Sequence, residues 1–96
     1  MVRKPTESQV RAALGALREV RRGPLPETED AASMLAAMVD RASRRISETG
    51  RRVIIRAVAR SVEEIPTTVD ATLAVIDRAL VQLEAMAEFA MRRKAA

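Results

Sequence analysis

The sequence predicts an all-α fold, a small antiparallel bundle of about four helices that forms a single domain over residues 1-96. The composition favours helix, because alanine, arginine, leucine and glutamate dominate and 18 of the 96 residues are alanine. Apolar residues recur at spacings of three and four along most of the chain, as on the buried face of a helix. Capping and helix-breaking residues divide the chain into four segments.

The first helix is predicted over residues 7-22. Thr6 and Gln9 have the spacing of a capping box, in which a hydroxyl and an amide bond the free backbone N–H groups at a helix start. Gly23 and Pro24 follow the last periodic residue and cannot continue the helix. Both ends of this helix are therefore marked by local signals.

The second helix is predicted over residues 27-49. Pro26 and the acidic turn at residues 27-30 favour a helix start there, since carboxylates stabilise the positive end of the helix dipole. Its apolar stripe comprises Ala31, Leu35, Met38, Ala42 and Ile46. The third helix is predicted over residues 51-64, and Pro66 follows it.

Gly50 is predicted to break or sharply bend the chain between these two helices. On one continuous helix, with about 100° of rotation per residue, their apolar stripes would lie about a third of a turn apart. A straight helix could not bury both stripes against one core. The β-branched run at 53-55 could instead form a strand, but the sequence offers it no pairing partner.

The fourth helix is predicted over residues 68-93 and carries the clearest heptad pattern in the chain. Its apolar arc covers nearly half the circumference, so it should lie centrally in the bundle or pack against a second copy. We expect the protein to associate through this C-terminal helix as a homodimer. The predicted self-association residues are Leu73, Ile76, Leu80, Leu83, Met86 and Phe89.

The composition argues against an enzyme. The chain has no histidine and no cysteine, which removes the usual imidazole bases, thiol nucleophiles and zinc ligands. Glu84 and Glu88 lie four apart, but they fall on a polar face within helical reach of arginines and are interpreted as solvated ion pairs. We therefore predict no catalytic, cofactor-binding or metal-binding residues and no small-molecule substrate.

A basic surface is predicted between residues 41 and 60. Three of its arginines are spaced four apart and could follow a row of phosphates. The chain has no asparagine and one aromatic residue, so it offers little for base readout or stacking. The predicted basic surface comprises Arg41, Arg44, Arg45, Arg51, Arg52, Arg56 and Arg60.

No membrane-spanning segment or signal peptide is predicted, and we expect a cytoplasmic protein. The longest aliphatic run, at 53-55, is closed by Arg56. The third helix combines an aliphatic face with several arginines, a pattern that also suits binding to a membrane surface. The same pattern describes any bundle helix with a charged exterior.

Two stretches of the chain form a pattern, Ser8-Gln9-Val10 and, after Pro24-Leu25, Glu29-Asp30-Ala31-Ala32-Ser33-Met34-Leu35 followed by Val39 and Ala42. This pattern resembles small all-helical anti-CRISPR proteins of phages. The resemblance covers less than half of the chain. It implies a dimeric helical inhibitor of phage or mobile-element origin that docks on a CRISPR effector or its nuclease and has no activity of its own.

The sequence therefore predicts a non-enzymatic protein-protein interaction module that acts as a homodimer and binds a further protein. The alternative is a DNA-associated accessory or regulatory protein whose arginine-rich face contacts phosphates. Salt-dependent binding to duplex DNA would distinguish the two.

Overall fold

The computed structural model describes residues 4–95, with side chains described through Arg93. This range contains four helices and no strand, which confirms the all-α prediction. Each helix contacts the other three. The helices are α1 (Glu7–Arg22), α2 (Ala31–Ser43), α3 (Glu48–Ser61) and α4 (Val69–Ala95).

Helix α1 begins and ends where its local signals predict. The Gln9 backbone N–H donates to Thr6 Oγ1 at 3.2 Å, and the Thr6 backbone N–H donates to Gln9 Oε1 at 2.9 Å. At the other end, the Gly23 N–H donates to the Glu19 carbonyl oxygen at 3.0 Å. The predicted capping box is confirmed, and it fixes the chain just before α1.

The predicted start of the second helix at residue 27 is wrong, because α2 begins at Ala31. Asp30 is its N-cap. One Asp30 carboxylate oxygen accepts from the Ser33 backbone N–H at 2.7 Å, and the other accepts from the Ser33 hydroxyl at 3.1 Å. The acidic turn therefore precedes the helix, and its last carboxylate caps the first turn directly.

The predicted break at Gly50 is also wrong. Helix α2 ends at Ser43, and the reversal occupies residues 44–47. Ser47 Oγ accepts from the Gly50 backbone N–H at 3.2 Å and acts as the N-cap of α3. Gly50 therefore lies in the first turn of α3, which spans Glu48–Ser61 rather than 51-64. Both residues could mark a helix boundary, but the Ser47 side chain caps α3 and Gly50 continues its first turn.

Helix α4 runs antiparallel to α1 and α3. Arg18 pairs with Glu84 at 2.9 Å and Arg21 with Asp77 at 2.8 Å, so positions rise along α1 as they fall along α4. Thr68 Oγ1 accepts from the Ala71 backbone N–H at 3.0 Å and caps the start of α4. Arg78 contacts Ser61 at the end of α3, while Met86, further along α4, lines a groove with Val53 near the start of α3, so these two helices are also antiparallel, as predicted.

The core receives large side chains from all four helices. The largest fully buried apolar side chains are Leu17, Met38, Ile54, Ile76 and Leu83. The Thr72 hydroxyl is also fully buried and donates to the Ala31 carbonyl oxygen at 2.8 Å, joining the starts of α2 and α4. No buried polar side-chain atom among the described residues lacks a hydrogen-bond partner.

Candidate functional site

A groove of about 520 Å³ lies between the chain entering α1 and one face of α3. We call it the α3 groove. Its residues come from the N-terminal segment, α1, α3 and one turn of α4, so the packing of α1 beside α3 creates it. It is lined by Lys4, Pro5, Thr6, Gln9, Thr49, Arg52, Val53, Arg56, Ala57, Arg60 and Met86.

Three arginines of α3 line the groove as a row. Arg52, Arg56 and Arg60 are spaced four apart, which places them above one another on one face of the helix. Arg52 lies 3.8 Å from a Glu48 carboxylate oxygen, a long contact between two largely exposed side chains. Arg56 and Arg60 form no ion pair with any carboxylate of the described residues. Both guanidinium groups are therefore available to an anionic ligand.

Lys4 adds a fourth cation from the opposite side of the groove. It stands two residues before Thr6, and the capping box of α1 fixes the backbone at that point. The lining residues include no aspartate or glutamate. Four positive side chains thus share a concave site with no negative lining residue, and a concave site focuses their field.

The deepest part of the groove is apolar. Val53 and Ala57 are buried between the arginines on the same helix, and Met86 reaches the groove from α4 while half-buried. The spacing along α3 explains this arrangement, because positions 53 and 57 lie one residue from 52 and 56 and turn toward the core. The α3 groove therefore combines a basic wall with an aliphatic floor.

The remaining residues of the predicted basic surface do not line the groove. Arg41 Nη1 donates to the Pro24 carbonyl oxygen at 3.0 Å, which ties α2 to the loop after α1. Arg44 pairs with Asp40 at 2.7 Å. Arg45 and Arg51 are exposed. The groove thus collects three of the seven predicted arginines.

The predicted self-association residues lie mostly inside the chain's own core. Ile76 and Leu83 are fully buried. Leu73, Leu80 and Met86 are half-buried and pack against the core cluster. Phe89 alone of the six is exposed, with 62% of its surface accessible. Five of the six predicted self-association residues are therefore covered, wholly or in part, by the chain's own core.

A wider and flatter depression lies on the other side of the N-terminal segment. Lys4, Pro5 and Thr6 line both this depression and the α3 groove, so the segment forms a ridge between them. Arg11, Arg93 and one acid, Glu7, also line the depression, and Arg11 pairs with Glu7 at 3.2 Å. The basic character of the groove therefore extends beyond the ridge.

The described residues bring together no group of three or more acidic, histidine or cysteine side chains that could hold a metal ion. Glu84 and Glu88 contact different arginines of the chain, since Glu84 pairs with Arg18 and Glu88 lies 3.7 Å from Arg92. Across residues 4–95, no helix has the length and apolar character needed to cross a lipid bilayer.

Sequence reasoning missed several residues of the groove. Lys4 and Met86 were not assigned to a basic site, because they are far from the arginine row in sequence and reach it only through helix packing. The row itself was detectable, since spacing of four on a helix is a local signal. Nothing local in the sequence indicates the concave shape or the aliphatic floor.

No known protein family model matches this chain, and no match was found among curated proteins or solved structures. The candidate site is therefore interpreted from its own chemistry.

Proposed function

We propose that this protein is a non-enzymatic protein-protein interaction module that binds an acidic segment of a partner protein in the α3 groove. The observation that carries the proposal is the convergence of Arg52, Arg56, Arg60 and Lys4 in one groove without an acidic lining residue. Carboxylates of a bound segment would form charge-assisted hydrogen bonds with these side chains. Arg56 and Arg60 form no ion pair with a carboxylate of the described residues, so ligand binding would break none at these two positions.

The aliphatic floor favours a protein segment as the ligand. Val53, Ala57 and Met86 would accept one apolar side chain of the partner, and its burial would add to the charge contacts. A small anion would leave the exposed part of Met86 in contact with water. We therefore expect the preferred segment to contain acidic residues on both sides of a leucine-like residue.

The groove chemistry supports binding rather than catalysis. Its polar lining consists of guanidinium, ammonium, hydroxyl and amide groups. Arginine and lysine are protonated at neutral pH, and none of the lining groups is a ready proton acceptor there. A general base would have to come from the ligand itself.

Duplex DNA is the alternative ligand, and the arginine row is the observation that favours it. Successive members of the row are separated by about 6 Å along the helix axis, given a rise of 1.5 Å per residue, and could contact neighbouring phosphates. Binding of this kind would be sequence-independent and would weaken steeply with salt. The aliphatic floor would have no role in such a complex.

The resemblance to anti-CRISPR proteins suggests one class of partner to test. In that case the acidic segment would belong to a CRISPR effector or its nuclease, and binding would inhibit it. An interference assay with wild-type protein and with a variant carrying Arg56→Gln and Arg60→Gln would test this proposal. If that variant inhibits interference as strongly as the wild type, the inhibitory surface lies outside the α3 groove.

The proposal is tested with a fluorescent twelve-residue peptide that carries glutamates around a central leucine. We expect saturable binding at 150 mM salt, and a dissociation constant at least tenfold higher when both Arg56 and Arg60 are replaced by glutamine, since each lost charged contact is worth about 1.5 kcal/mol or more. The matched control is Arg22→Gln with Arg45→Gln, which removes two charges from exposed residues outside the groove.

Two results would overturn the proposal. One is an equal loss of affinity in the groove variant and the control variant, which would indicate a general effect of net charge. The other is tighter binding of a 20-base-pair duplex than of the peptide at the same salt concentration, which would favour the DNA alternative.

A further inference from the structure

The outer face of α4 carries a row of five exposed residues with an unusual order of chemical types. We call it the α4 row, and its members are spaced four apart along the helix. Reading toward the C-terminus, the order is acidic, aliphatic, small, aromatic and basic. The row comprises Asp77, Val81, Ala85, Phe89 and Arg93.

The row is largely exposed, although Arg21 pairs with Asp77 and the Arg93 guanidinium lies 6.0 Å from the centre of the Phe89 ring. Val81 is 64% exposed and Phe89 is 62% exposed, the largest apolar exposures on α4. The Asp77 side chain keeps 54% exposure although it accepts hydrogen bonds from Arg21. An i, i+4 row forms a ridge on the helix surface, the unit by which helices pack on one another.

The order of residues makes the row complementary to itself in the antiparallel direction. The row turns by about 40° per step around the helix, so two copies align it only when the helices cross at about −50°, the angle at which i, i+4 ridges pack together. With that crossing and a twofold rotation centred on Ala85, Val81 faces Phe89 of the partner, and Asp77 faces Arg93 of the partner. The same two contacts recur on the other side of the axis, as an isologous interface requires. The small side chain at the centre permits close approach of the two helices.

At the ends of the row, Arg93 of the partner would share the Asp77 carboxylate with Arg21, which pairs with it at 2.8 Å. Two flanking arginines have contacts elsewhere. The twofold rotation would bring Arg78 near Arg92 of the partner. Arg78, however, directs its guanidinium to the Ser61 carbonyl oxygen through bonds of 3.1 and 2.9 Å. Arg92 lies 3.7 Å from a Glu88 carboxylate oxygen within its own helix. Both guanidinium groups thus have a local partner.

We propose that the α4 row is a homodimer interface whose occupant is the same row of a second copy in antiparallel orientation. The α4 residue that lines the α3 groove is Met86, which is not part of the row, so both grooves stay accessible in the dimer. A failure of peptide binding in the α3 groove would therefore leave the dimer proposal intact, and a failure of dimerisation would leave the peptide proposal intact. It also gives the self-association predicted for the C-terminal helix a surface that lies outside the core.

Cross-linking tests the centre of the interface. The chain has no cysteine, so Ala85→Cys introduces a single thiol. At the twofold axis two such thiols come within disulfide range, and we expect mild oxidation to give a covalent dimer. The control is Ala12→Cys, an exposed alanine on α1. Equal cross-linking of the two variants would overturn the proposal.

Charge reversal tests the ends of the interface by sedimentation equilibrium on the full chain. We expect wild-type protein to approach twice its monomer mass of 10.5 kDa at high micromolar concentration. Arg21→Gln serves as the background, since it removes the pair that Asp77 forms within its own chain. In that background Arg93→Asp should raise the dimer dissociation constant at least tenfold, and adding Asp77→Arg should restore it to within about threefold of the Arg21→Gln protein, because the reversed pair is again complementary. Circular dichroism confirms that each variant is folded. A monomeric wild type at 200 μM, or no rescue by the second substitution, would contradict the proposal.

Discussion

Arg78 on α4 donates two hydrogen bonds to the main-chain carbonyl oxygen of Ser61, the last residue of α3, from Nε at 3.1 Å and Nη2 at 2.9 Å. The carbonyl groups at a helix end lack intrahelical partners and lie at the negative end of the dipole. One side chain thereby satisfies the end of α3 and fixes its position against α4. Gln82 adds a bond from Nε2 to Ser61 Oγ at 2.9 Å.

Replacing Arg78 with methionine should lower the free energy of unfolding by about 1 to 2 kcal/mol, because charged hydrogen bonds to a helix end are lost while the aliphatic stem is kept. Urea denaturation followed by circular dichroism measures the change. Arg92→Met is the matched control and should change stability by less than about 0.5 kcal/mol, since its ion pair is exposed. Equal effects of both substitutions would contradict the role assigned to Arg78.

Replacing Thr72 with valine should lower the free energy of unfolding by about 1 to 2 kcal/mol. The substitution keeps the volume of a fully buried side chain but removes the hydroxyl that donates to the Ala31 carbonyl oxygen at 2.8 Å. Thr72→Ser retains the hydroxyl and loses a methyl group. Denaturation curves of the two variants separate the hydrogen bond from the packing. A fully stable Thr72→Val would show that the bond joining α2 and α4 contributes little.

Two glycine substitutions should differ in sign. A Cβ at Gly15 would meet no atom within 4 Å, so Gly15→Ala should stabilise α1 by about 0.5 to 1 kcal/mol through helix propensity. A Cβ at Gly50 would lie 3.0 Å from Ile46 Cδ1 and 3.3 Å from Ile46 Cβ. Gly50→Ala should therefore destabilise the protein. Thermal melts of both variants check this, and an equal gain at the two sites would contradict the close contact.

Asp30 should make stability depend on pH in the acid range. The backbone N–H and hydroxyl of Ser33 donate to its carboxylate and lower its pKa below the ordinary value of 3.8. The folded state thus favours the ionised form. Its contribution is complete above the unfolded pKa and is lost as pH falls through the lower folded pKa.

Thermal melts between pH 6 and pH 2 test this effect. Asp30→Asn keeps a capping side chain without the charge, so its melting temperature should fall less steeply with acid than that of the wild type. Identical pH profiles for the two proteins would exclude Asp30 as a source of the acid dependence.

The features predictable from the sequence are those set by neighbours in the chain. Thr6 and Gln9 cap α1 as their spacing predicts, because both partners of each bond lie within one turn. The junction of α2 and α3 was placed at the wrong residue because Ser47 and Gly50 offered competing local signals, and the serine cap sets the start of α3. A Cβ at Gly50 would lie 3.0 Å from Ile46 Cδ1, a close contact that residue spacing alone does not reveal.

The candidate site was only partly predictable. The row formed by Arg52, Arg56 and Arg60 follows from helical spacing, but its groove depends on Lys4 and Met86, which approach through packing of α1, α3 and α4. The apolar arc of α4 was also ambiguous. Periodicity shows that Leu83 is buried, but it does not say whether the covering surface belongs to the same chain or to a second copy.

The most direct measurement is NMR mapping of the α3 groove with the glutamate-rich peptide and wild-type protein. The account predicts that shifts concentrate on the methyl groups of Val53, Ala57 and Met86 and on the side chains of Arg56 and Arg60, with saturation at one peptide per chain. Shifts that leave the floor methyl groups unchanged, or that spread over all exposed arginines, would contradict a peptide-binding groove.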